Sequence, residues 1–173
     1  MTRKTRRAPA AGRSAARLAA VQALYDAEMT GTPVEELLKD FLDHEIGRRA
    51  LVQAGEDETA ETEVALVDPD PILLAQLVRG GLAEAELLDT MIGQALTGEW
   101  SVERLESVLH AILRAGAFEL MRMPETPARV VITEYVDVAG AFYGGPEPGL
   151  ANAVLDRIAR VVRAEELAGK SRA

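Results

Sequence analysis

Arg3, Lys4, Arg6, Arg7, Arg13 and Arg17 all precede the first acidic residue of the chain, Asp26. Basic side chains at that density, separated by Ala, Gly and Pro, suit one chemistry above others: following a phosphate backbone and releasing its counterions. Arg13 and Arg17 lie four residues apart, so on a helix both can point from one face toward the same strand. These are six of the 19 Lys+Arg; the remainder of the chain carries 13 basic against 28 acidic residues, a net of −15 within an overall −9. A split of that kind indicates a local electrostatic task, with a solubilising tail as the plainer alternative.

Other chemistry is sparse. The only histidines, His44 and His110, fall in no metal-ligand spacing. His44 sits in the charged run "DHEIGRR" and reads as solvated, and His110 reads as a partly buried structural residue. "GRSAAR" lacks the second glycine of a nucleophile elbow, which leaves Ser14 unsupported. No cysteine is present, which excludes thiolate-ligated metals and thiol catalysis and suits a reducing cytoplasm. "YGGPEPG" lacks the Gly-Lys-Ser/Thr ending of a phosphate loop. The residues therefore predict no enzyme, cofactor or metal site.

The elements that position these groups read as helices. At 173 residues one domain or two small subdomains can bury a core without staples. Apolar residues make up 48% but aromatics only 4%, a composition of small and straight side chains that favours helices over sandwiches. No apolar run approaches the ~20 residues that span a bilayer, and the basic start lacks the apolar stretch of an export signal. An organelle transit peptide shares the Arg-rich, acid-poor start, but this one continues into a core helix.

The spacing of Leu18, Val21, Leu24, Tyr25 and Met29 predicts a first helix over about 13–29. Thr32, Pro33 and Glu35 form the pattern of a capping box for the next. Asp70 and Pro71 open a helix to about Leu96, and a further one runs over 101–123 with Trp100 packed back on it as a staple. Thr126 and Pro127 mark another start. Its segment "RVVITEYVDV" has strand-like β-branching, yet the capping chemistry favours helix. A last helix is expected over about 150–162. The acidic stretch over about 53–70 reads as a solvated linker between subdomains. The organisation is thus a basic arm at 1–12, a helical domain at 13–165 and a tail at 166–173.

Three segments then go further. "RSAARLAAVQALYDAEMTG" resembles the N-terminal signature of the NusB family of transcription antitermination factors. "EWSVERLESVLHAILRAGAFEL" resembles its central segment, and "ETPARVVITEYVDVAGAFYG…LANAVLDRIAR" its third signature. The resemblance implies an all-α fold of about seven helices in two small bundles and no catalytic activity. It implies pairing with NusE, a protein of the small ribosomal subunit. It also implies binding of boxA-type single-stranded leader RNA, and read-through by RNA polymerase within the transcription elongation complex, notably on ribosomal RNA operons.

Residue by residue, the resemblance places Arg13, Arg17 and Arg114 at the RNA surface and Tyr25 and Glu103 at NusE. Asn152 matches a position closer to structure than to contact. The chain also departs from the family pattern. Leu150 stands where an RNA-contacting Phe is usual, Leu109 where an acidic residue usually faces NusE, and Gly140 where a Lys is usual. Leu150 keeps apolar contact but has no π-face for a base. The added basic residues, Arg6 and Arg7 among them, compensate in charge though not in base readout. An alternative is a protein–protein module of the same fold that has lost boxA recognition. The NusB-like domain of a ribosomal-RNA methyltransferase is disfavoured, since no cysteine nucleophile exists. Monomer or homodimer stays open for the free chain.

Overall fold

A computed structural model describes residues 9–43 and 67–169. Among them are eight α-helices, one 3₁₀ turn and no strand. The helices are α1 (Pro9–Thr30), α2 (Val34–Asp43), α3 (Pro71–Ala83), α4 (Ala85–Ala95), α5 (Ser107–Arg122), α6 (Ala128–Phe142), α7 (Glu147–Val162) and α8 (Ala164–Ala168). The 3₁₀ turn is Val102–Arg104, between α4 and α5. None of the described helices is long and apolar enough to cross a membrane.

The organising element is α5. Eleven of its residues, from Leu109 to Leu120, are buried, including His110 and Glu119. A helix apolar nearly all round belongs at the centre of a bundle, and α5 packs against α1, α3, α4, α6 and α7. Around it α1–α3 pack with one another, α7 packs on both α4 and α6, and one contiguous core runs through both groups. Small residues let the axes approach. A Cβ on Gly116 would come within 2.9 Å of Leu155 on α7, and one on Gly80 of α3 would enter the ring of Phe118 on α5.

Several helix signals act as read. Asp70 caps α3, accepting from the amides of Ile72 (3.0 Å) and Leu73 (3.1 Å), with Pro71 in the first turn. "RVVITEYVDV" is helical within α6 despite its β-branching, because Val131, Tyr135, Val138 and Ala139 fall on one buried stripe.

Others differ for identifiable reasons. The Thr32–Glu35 capping box does not form: Glu35 accepts both 2.8 Å bonds from Arg79 on α3, and Thr32 pairs with Thr30. The helix expected to run from Pro71 to Leu96 bends at Glu84, whose carboxylate is held by Arg122. That expected over 101–123 begins only at Ser107, after the 3₁₀ turn, and leaves Trp100 41% exposed. Helix α7 starts three residues early, inside the expected Gly/Pro connection. Thr126 does not cap α6, a role taken by Glu166 of α8, in what reads as a tail.

Candidate nucleic-acid interface

Arg13 and Arg17 share a side of α1 but not an environment. Arg17 is 2% exposed. Its Nε and Nη2 donate to the two carboxylate oxygens of Glu119 on α5, at 2.9 and 2.6 Å, and its Nη1 lies 3.2 Å from Glu134 on α6. The hydroxyl of Tyr135 donates to the same Glu119 carboxylate at 2.9 Å. Burial by itself would lower the Arg17 pKa, but the hydrogen bond and charge of Glu119 outweigh it and the net shift is upward. Burial, followed by the Glu119 charge, holds the Tyr135 phenol well above its ordinary value. The guanidinium is charged at every ordinary pH and its donors are spent inside the protein. The expectation that both arginines present themselves to one strand is therefore corrected: Arg17 is a core strut between α1, α5 and α6.

Arg13, one turn nearer the arm, stays half-buried, and its Nη2 donates to the Thr126 hydroxyl at 3.1 Å. The two arginines meet at a cleft of about 290 Å³ between α1 and the start of α6, bordered also by Ala10, Thr126, Val130 and Glu134. Arg13 is on its wall, and Arg17 reaches it only with an edge. With Glu125 and Glu134 present as well, the cleft is mixed in charge. Cationic excess must therefore come from the arm, where Arg3, Lys4, Arg6 and Arg7 lie outside the described residues.

Arg114 is also committed. Its Nε and Nη2 donate to the two oxygens of Asp89 on α4, at 2.8 and 2.7 Å, and its Nη1 reaches Glu28 on α1 at 3.2 Å. His110, 7% exposed, adds a 2.6 Å bond from Nε2 to Asp89. Burial would raise the Asp89 pKa, yet the bonds from Arg114 and His110 bring it below the usual carboxylate value. The Asp89 bond raises that of Arg114 in turn. Arg114 thus ties α5 to α4 and α1, with its side chain 14% exposed.

The remaining sequence candidates scatter. Leu150 is half-buried in the first turn of α7 and packs on the core, so its apolar face is partly used. Tyr25 is likewise half-buried against the core on α1. Glu103 is exposed on the 3₁₀ turn, its carboxyl lowered first by its own backbone N–H and then by the Ser101 hydroxyl. Leu109 is 1% exposed and faces the core, which corrects its placement at a partner surface: an apolar side chain here is drawn inward with α5. Asn152 is exposed on α7 and not a buried structural group. Gly140 is exposed with open space where a side chain would grow, so its lack of a lysine is not imposed by packing. His44 lies outside the described residues.

Spacing along the chain missed the partners of these arginines. Glu119 had one usable signal, since a single carboxylate inside "AGAFELM" must be paired if the helix is buried. Asp89 and Glu28 had none, because both sit among ordinary surface charges.

The chain is similar to known proteins over most of its length. The NusB family model matches residues 14–160. A transcription antitermination protein NusB of Rhodospirillum rubrum is 48% identical over 161 residues, 90% of this chain and 87% of that protein. The solved structure of NusB from T. maritima superposes with a TM-score of 0.68 at 25% identity, covering 90% of this chain and 96% of that one. A solved structure of antitermination factors NusB and NusE in complex with double-stranded RNA shares the fold. It gives a TM-score of 0.64 at 22% identity, with 86% of this chain and 96% of that one covered. By the length of the family match and the closeness of its relatives, this chain belongs to the NusB family of non-enzymatic transcription antitermination factors.

Proposed function

We propose that the chain is an RNA-binding antitermination subunit that acts in the cytoplasm. It pairs with NusE, binds boxA-type single-stranded leader RNA, and within the elongation complex promotes read-through by RNA polymerase, notably of ribosomal RNA operons. The observation that carries this reading is the position of Arg13. It stands half-buried on the cleft wall, at the end of an arm holding four more basic residues, on a body of opposite charge. Phosphates drawn by the arm are led to the cleft, where Arg13 accepts them. Tyr25 and Glu103 are the residues proposed to meet NusE.

One observation favours a second reading, a NusE-binding module without boxA recognition. Arg17 and Arg114 are both spent on internal carboxylates, and Leu150 is turned partly into the core. Titrating labelled boxA RNA with the protein, alone and premixed with NusE, separates the two. Tighter RNA binding with NusE supports the first reading. NusE binding with no RNA shift supports the second, and binding of neither partner sinks both.

A further inference from the structure

We propose that Arg163 and Glu166, in the C-terminal turn of the described chain, are positioning residues for Arg13 and the cleft some 150 residues away in sequence. Arg163 is 8% exposed, at the bend between α7 and α8. Its Nε donates to the carbonyl of Leu120 at 2.6 Å and its Nη2 to that of Met123 at 2.7 Å, with Glu119 O at 3.4 Å. Those oxygens belong to the last turn of α5 and the residue beyond it, where a cation suits the helix dipole. The Glu119 and Met123 carbonyls also accept the amides of Met123 (3.0 Å) and Thr126 (3.2 Å), so Arg163 adds a second donor to each.

Glu166 completes the pair. One carboxylate oxygen accepts from Nη1 of Arg163 at 2.8 Å, and the other accepts the amide of Ala128, the first residue of α6, at 2.8 Å. A single ion pair therefore caps the end of one helix and the start of the next. The intervening turn, 123–127, is clamped from both sides.

Thr126 sits inside that clamp. Its carbonyl accepts from Nη1 of Arg163 at 3.3 Å, and its hydroxyl accepts from Arg13 at 3.1 Å. The path Glu166–Arg163–Thr126–Arg13 thus runs from the C-terminal turn to the root of the basic arm. None of the three contacts is between apolar side chains of the stripe that assembles the bundle, so the path sets local pose more than overall stability. The geometric part stands by itself; the consequence for RNA rests on the proposed function.

The test uses the full chain, whose lack of native cysteine permits two introduced labels. Spin labels at Ala10 and Arg129, both exposed, report the separation of α1 from α6. Glu166→Ala should broaden that distance distribution and speed hydrogen exchange at the Ala128 amide about tenfold, the loss of one charge-assisted bond. Glu166→Gln keeps an acceptor for that amide and should fall between, which also serves if the alanine variant folds poorly. Affinity for boxA RNA should drop about threefold in Glu166→Ala, on the scale of one lost contact. It should drop no further when Glu166→Ala is added to Arg13→Ala, because the effect passes through Arg13. An unchanged distance distribution, or losses that multiply in the double variant, would overturn the proposal. If the unmodified chain binds no RNA, the proposed function falls, and the label distances still decide the positioning role.

Discussion

Arg17 and Glu119 form a fully buried ion pair, 2.6 Å from Nη2 to Oε1 across 102 residues of chain. Both side chains are essentially sealed, and Tyr135 closes the remaining side of the carboxylate. Removing one member leaves the other charged and buried, which costs about 3–5 kcal/mol. Glu119→Ala should accordingly lower the urea midpoint by a large fraction of the total stability. Tyr135→Phe, which removes one hydrogen bond to a charged group, should cost about 1.5–3 kcal/mol. A midpoint for Glu119→Ala within experimental error of the parent would show that the pair carries no net stability.

Asp89 makes stability depend on pH in a defined direction. Its pKa is depressed in the folded state, against the pull of burial, by Arg114 and His110. A carboxylate so depressed contributes stability above its unfolded value, about 3.9, and loses it as pH falls through the lower folded value. The stability gap between the parent and Asp89→Asn should be full at neutral pH and close below about pH 4. Urea melts at pH 7, 4 and 3 check this; a gap constant across that range would refute it.

Gly80 is a packing prediction. With the Phe118 ring occupying the space of a Cβ, Gly80→Ala forces α3 and α5 apart and should cost about 1–3 kcal/mol. The same change in a Phe118→Leu background should cost less, since the obstructing ring is gone. Thermal melts of the four proteins give the coupling; simple additivity would mean that the helices shift freely.

The arm sets the salt dependence. With Arg17 turned inward, five basic residues remain for phosphates, and the single-strand rule gives a log–log salt slope of roughly −3.5 at most. Deleting residues 1–12 leaves Arg13 and should bring the slope to roughly −0.7, weakening all RNAs about equally. A truncated protein that bound boxA RNA as tightly as the whole chain at low salt would make the arm a bystander.

The sequence made the helices legible where a signal was local. Asp70–Pro71 announced α3, and the stripe through Val131, Tyr135 and Val138 identified α6 against its own β-branching. Boundaries failed where a distant side chain intervened, as when Arg79 took Glu35 from its capping box. The candidate site divided along the same line. Arg13 reaches the cleft because its helix continues the arm. Arg17 and Arg114 were misread because a free and a paired arginine look alike until Glu119, Asp89 and Glu28 are brought beside them. Leu109 was misread because its place on a helix buried all round depends on five other helices.

The span between Arg17 and Glu119 also sets a clock. The chain is made from its N-terminus, and at roughly 5–20 residues per second the 102 residues between them take on the order of 5–20 s. Until Glu119 is made Arg17 has no such partner, and burying α1 with an unpaired guanidinium in its apolar stripe would be costly. The synthesis of α5 delivers the carboxylate and the central packing surface in the same stretch, so the charge gains its partner together with the first surface it can be buried against, and Glu134 and Tyr135 of α6 seal the pair afterwards.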